Sequence, residues 1–454
     1  MFDKVLVANR GAVAARVLRA LHALGIRSVA VYSEADARAP YLEMSSEAYP
    51  IGAAPARDSY LNQEALLAVL KQTGCDGLHP GYGFLAENAE FAAKVNDSGA
   101  RFIGPSPRWI DAMGHKTRAR ELAQEHGMPI ARGSGVLPAE PEAIKAAARA
   151  IGYPVLVKPA GGGGGIGMLS AKDETELIAA VERSSSLAAR GFGSAEVYLE
   201  RLVERPRHVE FQVLGDSHGD LRHLFERDCS VQRRHQKIIE ESPAPNVARD
   251  HVQAMADRIA ATVRSMGYDN IGTVEMLMDA GGELSFLEMN TRLQVEHGVT
   301  EEVTGVDLVR AMIRTAAGER LSEVLPRDIA ISGHAIQARV YAEDPKNFFP
   351  SPGKLNVFRP PEDKSIRIET GYAEGREVTP FYDPMLAKVI VKAASRSQAI
   401  ERLVQALQAF DIQGLKHNIP AVIAILKSDA FGDGDVHTGI VSQVLARPKA
   451  KGAI

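Results

Sequence analysis

Between Leu287 and Glu296 two kinds of residue alternate: Leu287, Met289, Leu293 and Val295 against Glu288, Asn290, Arg292, Gln294 and Glu296. If the segment stays extended, a period of two places all five polar groups on one face. A half-exposed strand with a solvated face would show the same period; the choice of polar groups points to chemistry. Glu288 and Asn290, with Glu275 on an earlier apolar run, are hard oxygen donors of the kind Mg²⁺ takes beside phosphate oxygens. Arg292 could hold a small planar anion through two parallel hydrogen bonds, and Glu296 could serve as a general base.

A phosphate site is suggested upstream, where Gly161 to Gly165 and Gly167 follow the apolar run Pro154 to Lys158. Glycines let backbone N–H groups approach an anion closely and accept positive φ; Lys158 adds charge. No Gly-Lys-Ser/Thr follows, so this is not a Walker loop, and ordered flanks argue against a plain linker. In Glu226 to Lys237, the cations Arg233, Arg234, His235 and Lys237 fit either a basic surface patch or the lining of an anionic substrate channel. Cys229 within it reads as a buried, inert thiol. In His79 to Asn88, a proline and two glycines around Tyr82 form either a structural turn or a rigid loop presenting an aromatic ring.

Three regions position these groups. Lys4 to Ala8 read as a strand, Asn9 to Gly11 as a turn, and Val13, Val17, Leu21 and Leu24 as a helix stopped by Gly25. Ser28 to Tyr32 give a second strand, so a Rossmann-like parallel sheet with covering helices is expected, without a Gly-x-Gly-x-x-Gly fingerprint. Gly104 to Pro107 mark a boundary. From about Lys116 to about Leu325 the pattern is α+β: Asp173 and Glu176 have capping-box spacing at a helix start, and Val209 to Leu214, Val274 to Met278 and Leu284 to Met289 read as strands of a largely antiparallel sheet. A third, smaller α+β region follows Gly333, with strands at His334 to Tyr341 and Leu386 to Val391 and an amphipathic helix from Ser397 to Phe410.

The composition narrows the classes. At 454 residues, 45% hydrophobic and 24% charged, the chain has material for several cores. Its 53 basic and 57 acidic residues leave −4, so no global field recruits nucleic acid or an anionic membrane. Cys75 and Cys229 cannot make a disulfide framework, no apolar stretch of about 18 residues occurs, and Met1-Phe-Asp-Lys4 leaves no room for a signal peptide. A cytoplasmic protein is expected.

Taken together and in order, these motifs resemble the biotin carboxylases. The resemblance is carried by His79 to Asn88, Lys116 after Met113-Gly114, Lys158 with its glycine run, Glu226 to Lys237, Glu288-Met-Asn-Thr-Arg-Leu-Gln-Val-Glu-His297 and Tyr341-Ala-Glu-Asp-Pro345, and it spans about residues 2 to 445. It implies an N-terminal α/β domain (residues 1–113), an ATP-grasp domain (114–330) with a mobile glycine-rich lid (about 131–204), and a C-terminal α+β domain (331–446).

By position, Lys116, Lys158, Gly163, Gly164, Gly165, His208, Gln232 and His235 look like ATP contacts, and Glu200, Arg201 and Val203 like the adenine-binding hinge. Glu275, Glu288 and Asn290 look like a site for two Mg²⁺ ions, with Mn²⁺ as a substitute. Lys237, Arg292, Gln294 and Val295 look like the bicarbonate pocket, Glu296 like the base, and Arg339 like the residue that stabilises the biotin enolate; Tyr82, Gly83 and Asp383 should lie around the biotin ring. The implied activity is a ligase reaction, the ATP- and bicarbonate-dependent carboxylation of biotin through carboxyphosphate.

No Met-Lys-Met acceptor motif occurs, so the implied partners are a biotin carboxyl carrier protein and a carboxyltransferase. The whole would be a biotin-dependent carboxylase such as acetyl-CoA carboxylase, although Gly163 to Met168 and Phe381 to Val391 lean toward the urea carboxylase branch. A homodimer is the family's arrangement, with Ala23 here in place of a charged contact residue. Ala12, Ala86 and Ile166 also depart from the usual pattern, and Gly298 replaces proline, which should loosen the backbone beside Glu296. The rival readings are a biotin-independent ATP-grasp ligase of the carbamoyl phosphate synthetase kind and an ATP-binding scaffold with a decayed site.

Overall fold

The computed structural model describes residues 1–161 and 167–446, so the expectations for Gly163, Gly164, Gly165 and Ile166 lie outside the described residues. Strands β1 (Lys4–Val7), β2 (Arg27–Tyr32), β3 (Glu47–Pro50), β4 (Gly77–His79) and β5 (Arg101–Phe102) form a parallel sheet in the order β3-β2-β1-β4-β5. Val5, Leu6 and Val7 are fully buried because helices cover both faces, the usual reason for an unbroken apolar strand. The helix Gly11–Ala23 links β1 to β2 as expected.

Beyond β4 the chain enters the Tyr82 loop, with positive φ at Gly81 (66°), Gly83 (70°) and Phe84 (42°). Asn9 Nδ2 pins that loop by donating to the carbonyls of Pro80 (2.6 Å) and Tyr82 (2.9 Å). A Cβ on Gly81 would lie 2.8 Å from Val13 Cγ2, so the close approach of loop and helix requires glycine there.

An antiparallel four-stranded sheet comes next: β6 (Gly133–Val136), β7 (Val155–Pro159), β8 (Leu169–Ala171) and β9 (Val197–Arg201), in the order β6-β9-β7-β8. Its covering helix Glu174–Phe192 is capped by Asp173, whose Oδ1 accepts from the N–H of Thr175 and Glu176, while Glu176 reaches back to Lys172 N.

The largest sheet contains β10 (Arg207–Gly215), β11 (Leu221–Arg233), β12 (Gln236–Ser242), β13 (Asn270–Met278), β14 (Leu284–Asn290) and β15 (His334–Tyr341). The order is β14-β13-β10-β11-β12-β15, continued by the strands Met385–Ala393 and Arg367–Thr370, with every neighbouring pair antiparallel. The third region's strands thus extend the central sheet. Pairing β15 along β12 satisfies an edge of backbone N–H and C=O groups that would otherwise stand open. Helix Arg396–Ala409 then packs Leu403 and Leu407 on Ile336, Val340 and Val389.

Among the described residues no helix is long and apolar enough to cross a membrane.

Candidate active site

The polar face expected from Glu288 to Glu296 is assembled differently from a single strand. β14 ends at Asn290, and Thr291 to Glu296 turn away before the helix His297–Thr304 begins. Arg292 ties the turn together: Nη2 donates to Asn290 Oδ1 (2.8 Å), Nη1 to Gln294 Oε1 (3.0 Å) and Nε to Glu87 Oε2 (2.8 Å). All five polar residues still meet, as walls of one cavity of about 300 Å³ that also includes Lys116, Lys158, His208, Gln232, His235, Lys237, Glu275 and Arg339.

Lys237 is delivered by the two-residue turn joining β11 to β12, where Arg234 (φ 49°) and His235 (φ 65°) take the left-handed conformation that suits a tight hairpin. Its ammonium donates to Glu210 Oε2 (2.6 Å), Glu275 Oε1 (2.8 Å) and Glu296 Oε1 (2.8 Å). The other oxygen of Glu296 accepts from Arg339 Nη2 (3.1 Å), and Arg339 Nε donates to Glu240 Oε1 (2.5 Å). Burial alone would push the Glu296 carboxyl up; Lys237, Arg339 and Arg227 outweigh it and hold it well below the usual range. Burial pulls the Lys237 ammonium down, but its three carboxylates raise it well above the usual value.

Glu275 and Glu288 stand opposite each other in the β13–β14 register. Glu275 meets Lys237 and lies 3.1 Å from His208 Nε2, whereas Glu288, 34% exposed at its side chain, has Lys116 at 3.7 Å and no hydrogen bond among the described residues. Asn290 Nδ2 is buried without a partner among them. Two opposed carboxylates, one still uncommitted, and an amide oxygen are a donor set that fits Mg²⁺. Burial and the charge of Lys116 lower the His235 pKa, which favours its neutral ring.

Glu200, Arg201 and Val203 do not line this cavity. Glu200 is buried behind it, accepting from Lys158 Nζ (2.7 Å) and pairing with Arg120, and the Arg201 side chain turns to the Tyr153 carbonyl.

A second cavity of about 510 Å³ gathers Tyr82, Gly83 and Asp383 with Arg10, Phe84, Tyr341 and Tyr382. It shares Val295 and Arg339 with the first. Burial raises the pKa of both Tyr82 and Asp383. Arg10 grips Asp36 through Nε (2.6 Å) and Nη2 (2.7 Å) and stacks on Tyr382 at 4.2 Å, stiffening one wall.

Sequence reasoning missed Glu210, Glu240, Glu87 and Arg10. For Glu210 a signal existed: His208, Glu210 and Gln212 alternate with Val209, Phe211 and Val213, all buried, so the strand carries a polar face inside the protein. Cys229 is buried as expected; its Sγ lies 3.8 Å from Glu296 Oε1, and burial pushes the thiol up. Gly298 is packed tightly: a Cβ there would lie 2.4 Å from Ile390 Cδ1, so the neighbouring strand fills the space that the missing side chain leaves.

The family models for the N-terminal and C-terminal domains of biotin carboxylase match residues 1–110 and 337–443, and that for the ATP-binding domain of the carbamoyl-phosphate synthase L chain matches 115–324. Biotin carboxylase 2 of Bacillus subtilis (strain 168) is 47% identical over 98% of this chain and 100% of its own length. The biotin carboxylase of Pseudomonas aeruginosa is 44% identical, covering 99% of this chain and 100% of its own. Among solved structures, the biotin carboxylase domain dimer of Hydrogenobacter thermophilus 2-oxoglutarate carboxylase, in complex with MgADP, ADP and bicarbonate, superposes with a TM-score of 0.94 at 42% identity, covering 99% of this chain and all of that one.

Proposed function

This chain belongs to the biotin carboxylase family, and from that premise we propose that it is the ATP-grasp ligase that carboxylates biotin held on a partner protein, using ATP and bicarbonate. The observation that carries the reading is the placement of Arg339. It lines both cavities and bonds Glu296 between them, so one side chain links the anion-activating pocket to the pocket proposed for biotin.

Lys116, Lys158, His208, Gln232 and His235 would bind the nucleotide; Glu275, Glu288 and Asn290 would hold Mg²⁺, which when bound offsets the charge of the phosphates. Arg292, Gln294, Lys237 and the Val295 backbone would orient bicarbonate. Both oxygens of Glu296 are taken by cations in this structure. An entering anion offers Lys237 and Arg339 other oxygens, which releases the carboxylate and restores its basicity. Glu296 then takes the hydroxyl proton of bicarbonate as the bicarbonate oxygen attacks the γ-phosphorus and ADP leaves. Breakdown of carboxyphosphate yields CO₂ and a phosphate that removes the biotin N1 proton; Arg339 stabilises the resulting enolate oxygen, and N1 bonds to the carbon of CO₂.

We further propose a biotin carboxyl carrier protein and a carboxyltransferase as partners, a dimer of two copies, a cytoplasmic location, and working units at 1–113, 114–330 (lid about 131–204) and 331–446. The dimer draws on the dimeric relative named above, and the three units on the matched segments 1–110, 115–324 and 337–443. The test is ADP release from the purified chain with Mg-ATP, with and without bicarbonate and free biotin. Release that needs bicarbonate and rises with biotin supports the reading; release indifferent to both sinks it.

A further inference from the structure

Arg339, Lys388 and Glu369 stand in one row across three neighbouring strands. The register sets Arg339 opposite Lys388, and Lys388 opposite Glu369. Directly opposed residues of an antiparallel pair project to the same face, so the row points as a unit toward the turn that precedes helix His297–Thr304. Lys388 is 0% exposed; its ammonium pairs with Glu369 at 2.5 Å and donates to the Val295 carbonyl at 2.8 Å. Beside it, Arg339 holds Glu296 Oε2, and His297 Nδ1 donates to the Gln294 carbonyl at 2.7 Å. Three consecutive residues of the turn are therefore gripped, Gln294 and Val295 by His297 and Lys388, which lie outside the nucleotide pocket, and Glu296 by Arg339, which lines it.

A lysine without solvent access carries a large desolvation cost, which lowers the Lys388 pKa and which Glu369 offsets only in part. A methionine of similar length would fill the space without that cost, although it would leave the buried Glu369 carboxylate to Arg367 and Arg16. What the ammonium adds is a fixed position for the Val295 peptide, and with it the directions of the Gln294 and Glu296 side chains toward Arg292 and Lys237.

We propose that Lys388 is a positioning residue for bicarbonate: it touches no substrate, and it sets the turn on which the anion is bound and deprotonated. The proposal rests on the carboxylase reading above.

The test is Lys388→Met in the full chain, with bicarbonate-dependent ADP release measured against bicarbonate and against ATP, and MgADP binding followed by calorimetry. The KM for bicarbonate should rise about tenfold, the scale of one charge-assisted hydrogen bond, with kcat reduced and the KM for ATP and the MgADP affinity within about twofold of wild type. Lys388→Arg, which keeps a donor, should recover part of the loss. An unchanged bicarbonate KM in a folded variant overturns the proposal. So does an equal rise in both KM values with weakened MgADP binding, which would mark general loosening. If Lys388→Met does not fold, Glu369→Gln must raise the bicarbonate KM selectively; no selective rise overturns it too. Wild-type release that ignores bicarbonate would instead remove the carboxylase reading, and the proposal with it.

Discussion

Arg339 Nη2 lies 3.1 Å from Glu296 Oε2, where the two cavities share a wall. Glu240 fixes the guanidinium from behind at 2.5 Å, so Arg339 is aimed without help from a ligand. Arg339→Ser should leave MgADP binding close to wild type and lower biotin carboxylation by about 100-fold or more, the scale of a lost oxyanion donor. Calorimetry and a carboxylation assay check the two halves; undiminished turnover would take Arg339 out of the mechanism.

Glu288 is the least committed of the acids proposed to hold Mg²⁺, with only Lys116, at 3.7 Å, as a charged partner among the described residues. Glu288→Gln should therefore fold normally and shift the Mg²⁺ concentration for half-maximal ADP release upward, by about tenfold for one lost charged ligand. A Mg²⁺ titration at saturating ATP reads this directly, and an unshifted midpoint would assign the ion elsewhere.

The Gly298–Ile390 contact predicts a coupled pair. Gly298→Ala forces a methyl group against Ile390 Cδ1 and should cost about 1–3 kcal/mol in urea unfolding. Ile390→Val removes that δ-methyl, so the double variant should be less destabilised than the sum of the single ones. Strict additivity would show that the two side chains do not compete for the space.

Acid should unfold the protein in two stages. Burial lowers the pKa of His79 (to about 3) and of His297, which keeps both rings neutral in the folded state. Their contribution is complete above the ordinary histidine value of about 6.5 and is lost as pH falls below it. Glu275, Glu296 and Glu369 are raised by burial but held low by facing cations, chiefly Lys237 for the first two and Lys388 for the third. Depressed carboxyls lose their contribution below about pH 4.3. Glu240, raised by burial, has the opposite sign and softens that second fall. Thermal melts between pH 7.5 and pH 3 should decline first gently and then steeply; a melting temperature constant across that range would contradict these assignments.

Local pattern was enough for several of the elements. The apolar runs at Lys4 and Ser28, the helix between them and the strands near Val209, Val274 and Leu284 were legible because burial imposes a period that composition records. The types of the site residues were legible too: carboxylates, an amide and cations at close spacing announce anion and metal chemistry before any fold is known. The extension of that spacing through Glu296 was not, since Arg292 bends the chain after Asn290 by hydrogen-bonding Glu87, from the loop beyond β4 and more than 200 positions away in sequence.

The sequence by itself thus determined several of the elements that form and which functional groups are at hand. Only the tertiary structure decided which groups share a charge. Lys237 meets Glu210, Glu275 and Glu296 because two strands and a turn converge on it, and Lys388 meets Val295 because β15 extends the central sheet. The physical reason is that an electrostatic contact depends on distance in space and on the removal of water, and neither is written in the order of residues along the chain.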